Sequence, residues 1–521
     1  MMEASMYLFE NDRFTRRTFL KGMAAGAAAV TLCGVPGLSL ANAPKRGGTL
    51  RVSVSRELKS LNPYRHVNLS EYMQGELMYS GLVKLSHELK PVPDLAESWE
   101  SADAVTWRFR LRKGVRFQNG KEVTADDAVA SIRKVLDPET ASPGRKNIGP
   151  IVSADVEDKY TVRVVTAYPF SFLPQSMAYP CMKICPREVL EGDYASLAAR
   201  GCGSGPFKLR EYVPGTHLIF DRNPDYFDGD KPYLDEVQML IFPDSVAETN
   251  ALLTGQSDWV LEANISQLEK LKEAGIVVTR TGSGQFPSVV YGCDMKPFTD
   301  MRVRQAISLS LDRQMALDMC LEGFGRIGND NPVSPEYPFY HQLPERKQDL
   351  EKAARLLSEA GFRPGSTIPM YIAAVPAVRG KLGIVLQQCA AQIGVKIRLQ
   401  HVDYSTFLDQ YWKKANFYVG FYNMQSCEDA LFQLLYTSDA SWNETRWNNK
   451  KFDQLVLQAR QELDPEKQRA AFASCQEMLY EEVPSCVPFF LDLVSAYQPK
   501  VNGIVRNPRN TFFTIENVWL S

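Results

Sequence analysis

The sequence has almost no excess of either charge: 59 Lys and Arg stand against 61 Asp and Glu in 521 residues. A nucleic-acid binder needs a clustered basic surface and a high isoelectric point, so that class is excluded. Histidine is scarce. His66, His87, His217, His341 and His401 are dispersed and show no ligand spacing, which leaves no metal site to read. No H-E-x-x-H, G-x-S-x-G or Walker A motif occurs, so neither a catalytic residue nor a cofactor site is visible. No low-complexity linker or short-period repeat divides residues 44–521. The chain is rich in aromatics, with 22 Tyr, 26 Phe and 7 Trp in a 45% apolar composition. That excludes disorder and leaves length for a large core in more than one lobe.

Two partial motifs fail on context. Gly323-Phe324-Gly325-Arg326-Ile327-Gly328 matches G-x-G-x-x-G, but it follows a helical pattern and runs into Asn329-Asp330-Asn331-Pro332, whereas a dinucleotide site must follow a strand and open a helix. Ser131-Ile132-Arg133-Lys134 matches S-x-x-K, but no K-T-G partner exists.

The first 43 residues read as an address. Thr15-Arg16-Arg17-Thr18-Phe19-Leu20-Lys21 is a twin-arginine export box, and the uncharged stretch 22–40 carries four glycines and Pro36. At about 19 residues it is long enough to span a bilayer but only weakly apolar, the character of a cleaved signal. Cleavage falls after Ala41 or Ala43. Cys33 follows Leu32 where a lipoprotein needs a small residue, which argues against lipidation. Removing four basic and three acidic residues leaves a mature net charge of -3, in a bacterial periplasm. Nine cysteines then remain: Cys181, Cys185, Cys202, Cys293, Cys320, Cys389, Cys427, Cys475 and Cys486. An odd number leaves at least one thiol unpaired, and the set reads as small buried residues with one or two disulfides of unknown pairing.

Strand and helix patterns alternate along the mature chain. Residues 48–54 and 105–111 alternate as half-buried strands. Thr124 with Asp126 and Asp127 opens a helix to about Leu136. The patterns predict one long helix over 303–321, others over 349–360 and 380–393, and a strand over 395–400. Mixed elements of this kind specify α/β lobes.

Several blocks in order resemble the extracytoplasmic solute-binding proteins of peptide/nickel-type ABC importers, family 5, the dipeptide- and oligopeptide-binding group. They are Leu95-Ala96-Glu97-Ser98-Trp99 with residues 107–117 and 124–127, then Gly203-Ser204-Gly205-Pro206-Phe207 with Arg222-Asn223-Pro224-Asp225-Tyr226-Phe227, Leu252-Leu253-Thr254-Gly255-Gln256-Ser257-Asp258, residues 298–307, and Trp447-Asn448-Asn449 with Phe452-Asp453. The resemblance covers residues 45–521. It implies a two-lobed α/β periplasmic binding protein with a cleft between the lobes. Lobe one would be residues 44–283 with an inserted subdomain, lobe two 284–487, and the C-terminal return 488–521. Two crossing strands near 280–290 and 484–491 would form the hinge, with Gly282 and Gly284 supplying φ/ψ freedom.

The same resemblance locates a binding wall. Peptide binders of this family present an arginine to the ligand carboxylate after a lobe-two strand, and Arg379 is the nearest candidate here. They also hold the ligand ammonium with an acid in a glycine/aspartate-rich loop. This chain reads Phe421-Tyr422-Asn423-Met424-Gln425-Ser426-Cys427-Glu428-Asp429 instead, which moves the acid to Glu428 or Asp429 and argues against an ordinary free dipeptide. Tyr422 and Met424 lie in that stretch. Tyr404 falls where relatives place a pocket aromatic, with Tyr291, Phe170 and Trp442 as further candidates. The expected function is a monomeric periplasmic receptor that delivers a peptide, opine or modified sugar to an inner-membrane ABC permease, without catalysis, cofactor or nucleic acid. An exported hydrolase or cofactor-containing redox enzyme is the alternative.

Overall fold

The computed structural model describes residues 43–54, 58–511 and 513–521. The twin-arginine box, Cys33 and the Ala41 cleavage position lie outside them. The largest sheet has the strand order Val277–Gly282, Phe489–Tyr497, Trp259–Val260, Thr49–Val54, Glu236–Ile241, His217–Arg222 and Phe207–Val213, with Gly325–Ile327 pairing separately on Phe489–Tyr497. Thr49–Val54 is central and parallel to both neighbours, and Leu50, Val52 and Val54, which share one face of it, are buried. The Asp258 carboxylate ties this region together. It accepts from the Arg51 backbone N–H and Nε at 2.9 Å each and from Nη2 at 2.8 Å, and Lys500 Nζ lies 2.8 Å away.

Between the first and second segments of that sheet the chain builds a four-stranded antiparallel sheet, ordered Ala96–Glu100, Thr106–Leu111, Thr161–Thr166 and Ile151–Asp158. Trp107, Phe109 and Leu111 point inward, while Arg108 pairs with Glu157 at 2.9 Å on the outer face. Helix Ala125–Leu136 covers it. At its start the Asp127 carboxylate accepts from the Thr124 N–H at 2.9 Å and hydroxyl at 3.0 Å. The acid therefore caps by reaching back, and the threonine hydroxyl serves as donor.

A second mixed sheet is ordered Lys396–Val402, Thr367–Ala373, Phe417–Tyr422, Phe286–Tyr291 and Ser485–Cys486. The chain passes directly from a strand of one large sheet to a strand of the other at 283–285 and at 487–488. The crossings hold each other: Ser283 Oγ donates to the Leu491 carbonyl at 2.7 Å and the Leu491 N–H to the Gln285 carbonyl at 2.9 Å. This is the two-lobed α/β architecture. Neither Gly282 nor Gly284 has a positive φ. Their smallness is what the structure uses, since a Cβ on Gly284 would lie 2.7 Å from Met424 Cγ and 3.0 Å from a Tyr337 ring carbon.

The helix expected over 303–321 is two helices, Met301–Ser310 and Arg313–Leu321. Leu311 turns extended and Asp312 caps the second helix by accepting from the Met315 N–H at 2.9 Å, a capping residue placed mid-pattern. The glycine motif at 323–328 forms a turn and the short strand Gly325–Ile327. A Cβ at Gly325 would collide with the Phe490 carbonyl, so close backbone approach explains it. All nine cysteines are free thiols, without the expected disulfide, and burial pushes Cys293 and Cys320 up to about 11. Among the described residues no helix is long and apolar enough to cross a membrane.

One buried charge cluster fixes the second lobe. Asp330 pairs with Arg313 Nη2 at 2.9 Å and Arg346 Nε at 2.9 Å, and Ser308 donates to it. Burial alone would raise the carboxyl pKa, but the two guanidiniums hold it below the usual range. Asp330→Ala leaves two buried cations unpaired and is expected to cost about 3–5 kcal/mol, read as a lowered urea midpoint. A midpoint within error of the wild type would show that this cluster does not hold the lobe.

Candidate ligand cleft

Strands Lys396–Val402, Thr367–Ala373 and Phe417–Tyr422 run parallel with Thr367–Ala373 in the middle. From that middle strand the chain crosses through helix Val378–Ala391 to one neighbour, then returns to the other. The connections diverge at the carboxyl ends of the strands and leave a crevice, the place where α/β sheets hold ligands. Arg379 is the second residue of helix Val378–Ala391, Tyr404 begins the helical turn after Lys396–Val402, and Tyr422 ends its strand. Trp442 joins from a loop, its ring 6.2 Å from Tyr422 and 5.5 Å from Trp412. The structure thus brings four of the predicted residues to one edge.

Arg379 is 5% exposed. Its guanidinium lies 5.1 Å from the Phe407 ring centre and 5.7 Å from that of Tyr404, while Nε and Nη1 have no hydrogen-bond partner. Burial depresses its pKa. The nearby buried Glu444 accepts from the Tyr418 hydroxyl at 3.0 Å. Burial pushes Glu444 up to about 7, against the opposing pull of Tyr422, Tyr418, Arg379 and Trp412. Sequence reasoning missed Trp412, Tyr418 and Glu444. The signal was Gly420 inside an aromatic strand, where a Cβ would come within 2.6 Å of the Glu444 carboxylate.

The loop after Tyr422 departs from the expected acid-bearing wall. Met424 is buried, with its sulfur 3.2 Å from the Gly284 N–H donor. Gln425 donates its backbone N–H to the Tyr337 hydroxyl at 2.8 Å, and Gln285 Nε2 donates to Asn423 Oδ1 at 3.2 Å. Glu428 and Asp429 are turned inward at the start of helix Glu428–Leu435. Glu428 accepts from the Phe339 N–H at 2.5 Å and burial lifts it to about 7; Asp429 pairs with buried Arg460 at 3.0 Å. Asp429 is paired within the protein, and Glu428 is buried with one oxygen on the Phe339 N–H and Oε2 without a hydrogen-bond partner, which corrects the expectation that both stand open in the loop.

Tyr291 is also a correction. It is wholly buried and stacks on Phe417 at 5.7 Å in the core of the second sheet, because its strand is covered on both faces. Phe170 is buried beside Phe172, which meets Phe339 and Phe472 at 6.5 and 5.9 Å. The intervening Ser171 donates twice to the Arg460 carbonyl, at 2.9 and 2.8 Å. This segment joins the four-stranded sheet region to helices Lys450–Gln461 and Pro465–Glu482 and lies apart from the crevice. Arg509 was not foreseen. It donates to the Met424 carbonyl at 3.4 Å and lies 5.3 Å from the Tyr179 ring centre, with Nη1 buried and unpartnered.

The profile of the bacterial extracellular solute-binding proteins, family 5 (middle region), matches residues 90–445. The chain belongs to family 5 of the bacterial extracellular solute-binding proteins. It is 24% identical to the periplasmic oligopeptide-binding protein OppA of Salmonella typhimurium, over 95% of this chain and 96% of that one. The crystal structure of the ABC transporter substrate-binding protein CtaP of Listeria monocytogenes superposes with a TM-score of 0.82 at 23% identity, covering 91% of this chain and all of that one. The binding protein AgaA from A. tumefaciens R10, solved with agropinic acid, gives 0.73 at 24% identity, covering 91% and 99%. Family 5 members are binding proteins, which turns the reading away from an exported hydrolase or redox enzyme.

The raised carboxyls predict a pH dependence. Glu428 and Glu444 hold protons more tightly folded than unfolded, so their contribution is present below the ordinary value of 4.5 and is lost as pH rises through about 7. The groups facing Glu444 are Arg379, Tyr418, Tyr422 and Trp412. Glu444→Gln mimics the protonated acid. It is expected to stabilise the protein at pH 8 and to flatten part of the decline in urea midpoint between pH 5 and 8, leaving the part that belongs to Glu428. A slope identical to wild type would mean that Glu444 titrates normally.

Proposed function

We propose that this chain is the substrate-binding component of an ABC importer, exported through the twin-arginine route by residues 1–43 and working as a monomer in the periplasm. It captures a peptide or similar small polar solute between one lobe made of residues 44–283 with 488–521 and another made of 284–487, then delivers it to a permease in the inner membrane. Relatives support a range of solutes: OppA is named for oligopeptides and AgaA is solved with agropinic acid.

The observation that carries the reading is the bonding of the cleft loop to the crossing. Gly284 donates to Met424 and Gln285 to Asn423, so the loop beside the crevice and the segment joining the lobes are one hydrogen-bonded unit. A solute that touches this loop and the opposite wall is held best when the lobes approach. Such differential contact is what drives closure, because a ligand bound equally in both states shifts nothing.

The test is native mass spectrometry of protein purified without denaturation, to identify a co-purified solute, followed by small-angle scattering before and after its removal and return. The radius of gyration is expected to fall on saturation. A radius that does not change at saturation would count against capture by lobe closure.

A further inference from the structure

We propose that the tip of the four-stranded sheet, residues 168–172, clamps the start of helix Glu428–Leu435 and so positions the cleft loop 423–427, which makes Ser171 and Arg460 positioning residues for solute capture. This deepens the receptor reading and rests on it. The tip follows strand Thr161–Thr166 and is tied to its own sheet. Phe170 donates its N–H to the Ala104 carbonyl at 2.8 Å, and Thr166 Oγ1 donates to the Tyr168 carbonyl at 2.8 Å. Ser171 is bonded elsewhere. Its N–H and hydroxyl both donate to the Arg460 carbonyl, which lies in the last turn of helix Lys450–Gln461, where carbonyls have no partner inside the helix. Gln468 Nε2 of helix Pro465–Glu482 donates to Ser171 Oγ at 2.8 Å and to the Ala459 and Glu462 carbonyls at 3.2 and 2.9 Å. A serine whose N–H, hydroxyl proton and oxygen are all engaged by two neighbouring helices is a fixed joint.

Three routes lead from this joint to one helix. The Arg460 guanidinium lies 5.8 Å from the Tyr168 ring centre and pairs through Nε with Asp429 Oδ1 at 3.0 Å, both side chains being buried. Phe172 meets Phe472 at 5.9 Å, and Phe472 meets Phe432 at 5.9 Å. Phe172 also meets Phe339, whose N–H donates to Glu428. Glu428, Asp429 and Phe432 are the first, second and fifth residues of helix Glu428–Leu435, and the cleft loop runs directly into that helix. A close-packed interior yields little, so packed rings and paired charges carry position from one element to the next. The other end of the loop is bonded to the crossing through Gly284 and Gln285. The loop is therefore held between two fixed points, and one of them is set by the four-stranded sheet. Coupling of this kind is reciprocal: a solute that orders the loop also seats the tip.

Hydrogen–deuterium exchange of the full mature chain, read by mass spectrometry with no solute added, tests the clamp. Ser171→Ala removes the hydroxyl from the joint and leaves its N–H, and Phe172→Leu thins the aromatic route. Peptides covering residues 423–428 include the Gln425 N–H that is bonded to the Tyr337 hydroxyl. They are expected to exchange about threefold faster in Ser171→Ala and about tenfold faster in the double variant, as one or more lost contacts allow. Ile307→Val is the control. It lies in the core of the second sheet, whereas Phe172, Phe432 and Phe472 share another core, so it lowers stability without touching the joint and is expected to leave these peptides at the wild-type rate. Loop exchange that stays at the wild-type rate in the double variant, whether or not the tip loosens, overturns the proposal. So does an equal acceleration in Ile307→Val. Should the double variant not fold, Ser171→Ala alone decides by the same comparison. No solute enters the measurement, so its failure is distinct from that of the receptor reading, which co-purification and scattering decide.

Discussion

The pair of backbone crossings between the two large sheets is the constraint on which this molecule depends. Ser283, Gln285 and Leu491 hydrogen-bond across them, so the two strands that leave one sheet for the other cannot move independently. The cleft loop is bonded to the same segment through Gly284 and Gln285. That arrangement places this loop beside the two direct strand-to-strand connections between the sheets.

The distribution of buried charge separates scaffold from site. Asp258 is held by Arg51 and Lys500, Asp330 by Arg313 and Arg346, and Asp429 by Arg460. Each of these buried carboxylates has a counterion within salt-bridge distance, which offsets its loss of hydration. Arg379 has no such partner and keeps aromatic neighbours.

The fold class was legible because its signals are local or repeated. The alternation at Thr106–Leu111 predicted which side chains point inward, and ordered blocks along the chain carried the family resemblance. The helix break at Leu311 was hidden because Asp312 looks like any polar residue in an amphipathic pattern until its capping bond is seen. Arg379, Tyr404, Tyr422 and Trp442 could be expected near one edge of the sheet because they sit at strand ends or in the loops that follow. Glu428 and Asp429 were misread because a carboxylate at a helix start can face either a ligand or the chain packed beneath it, and no local pattern tells which. Glu444, Trp412 and Tyr418 were missed since their association is made by three-dimensional packing alone.

The central strand of the largest sheet has a consequence for how the chain acquires its structure. Thr49–Val54 lies beside Glu236–Ile241 and Trp259–Val260, and the latter is paired in turn with Phe489–Tyr497. The sheet therefore waits for a strand made near the end of synthesis, and closing such long loops is slow. Until then Trp259–Val260 has an open edge, which makes premature association a hazard of the nascent chain. Folding of this lobe is coupled to release of nearly the whole polypeptide, and the second sheet, whose strands lie between residues 286 and 486, is free to form first.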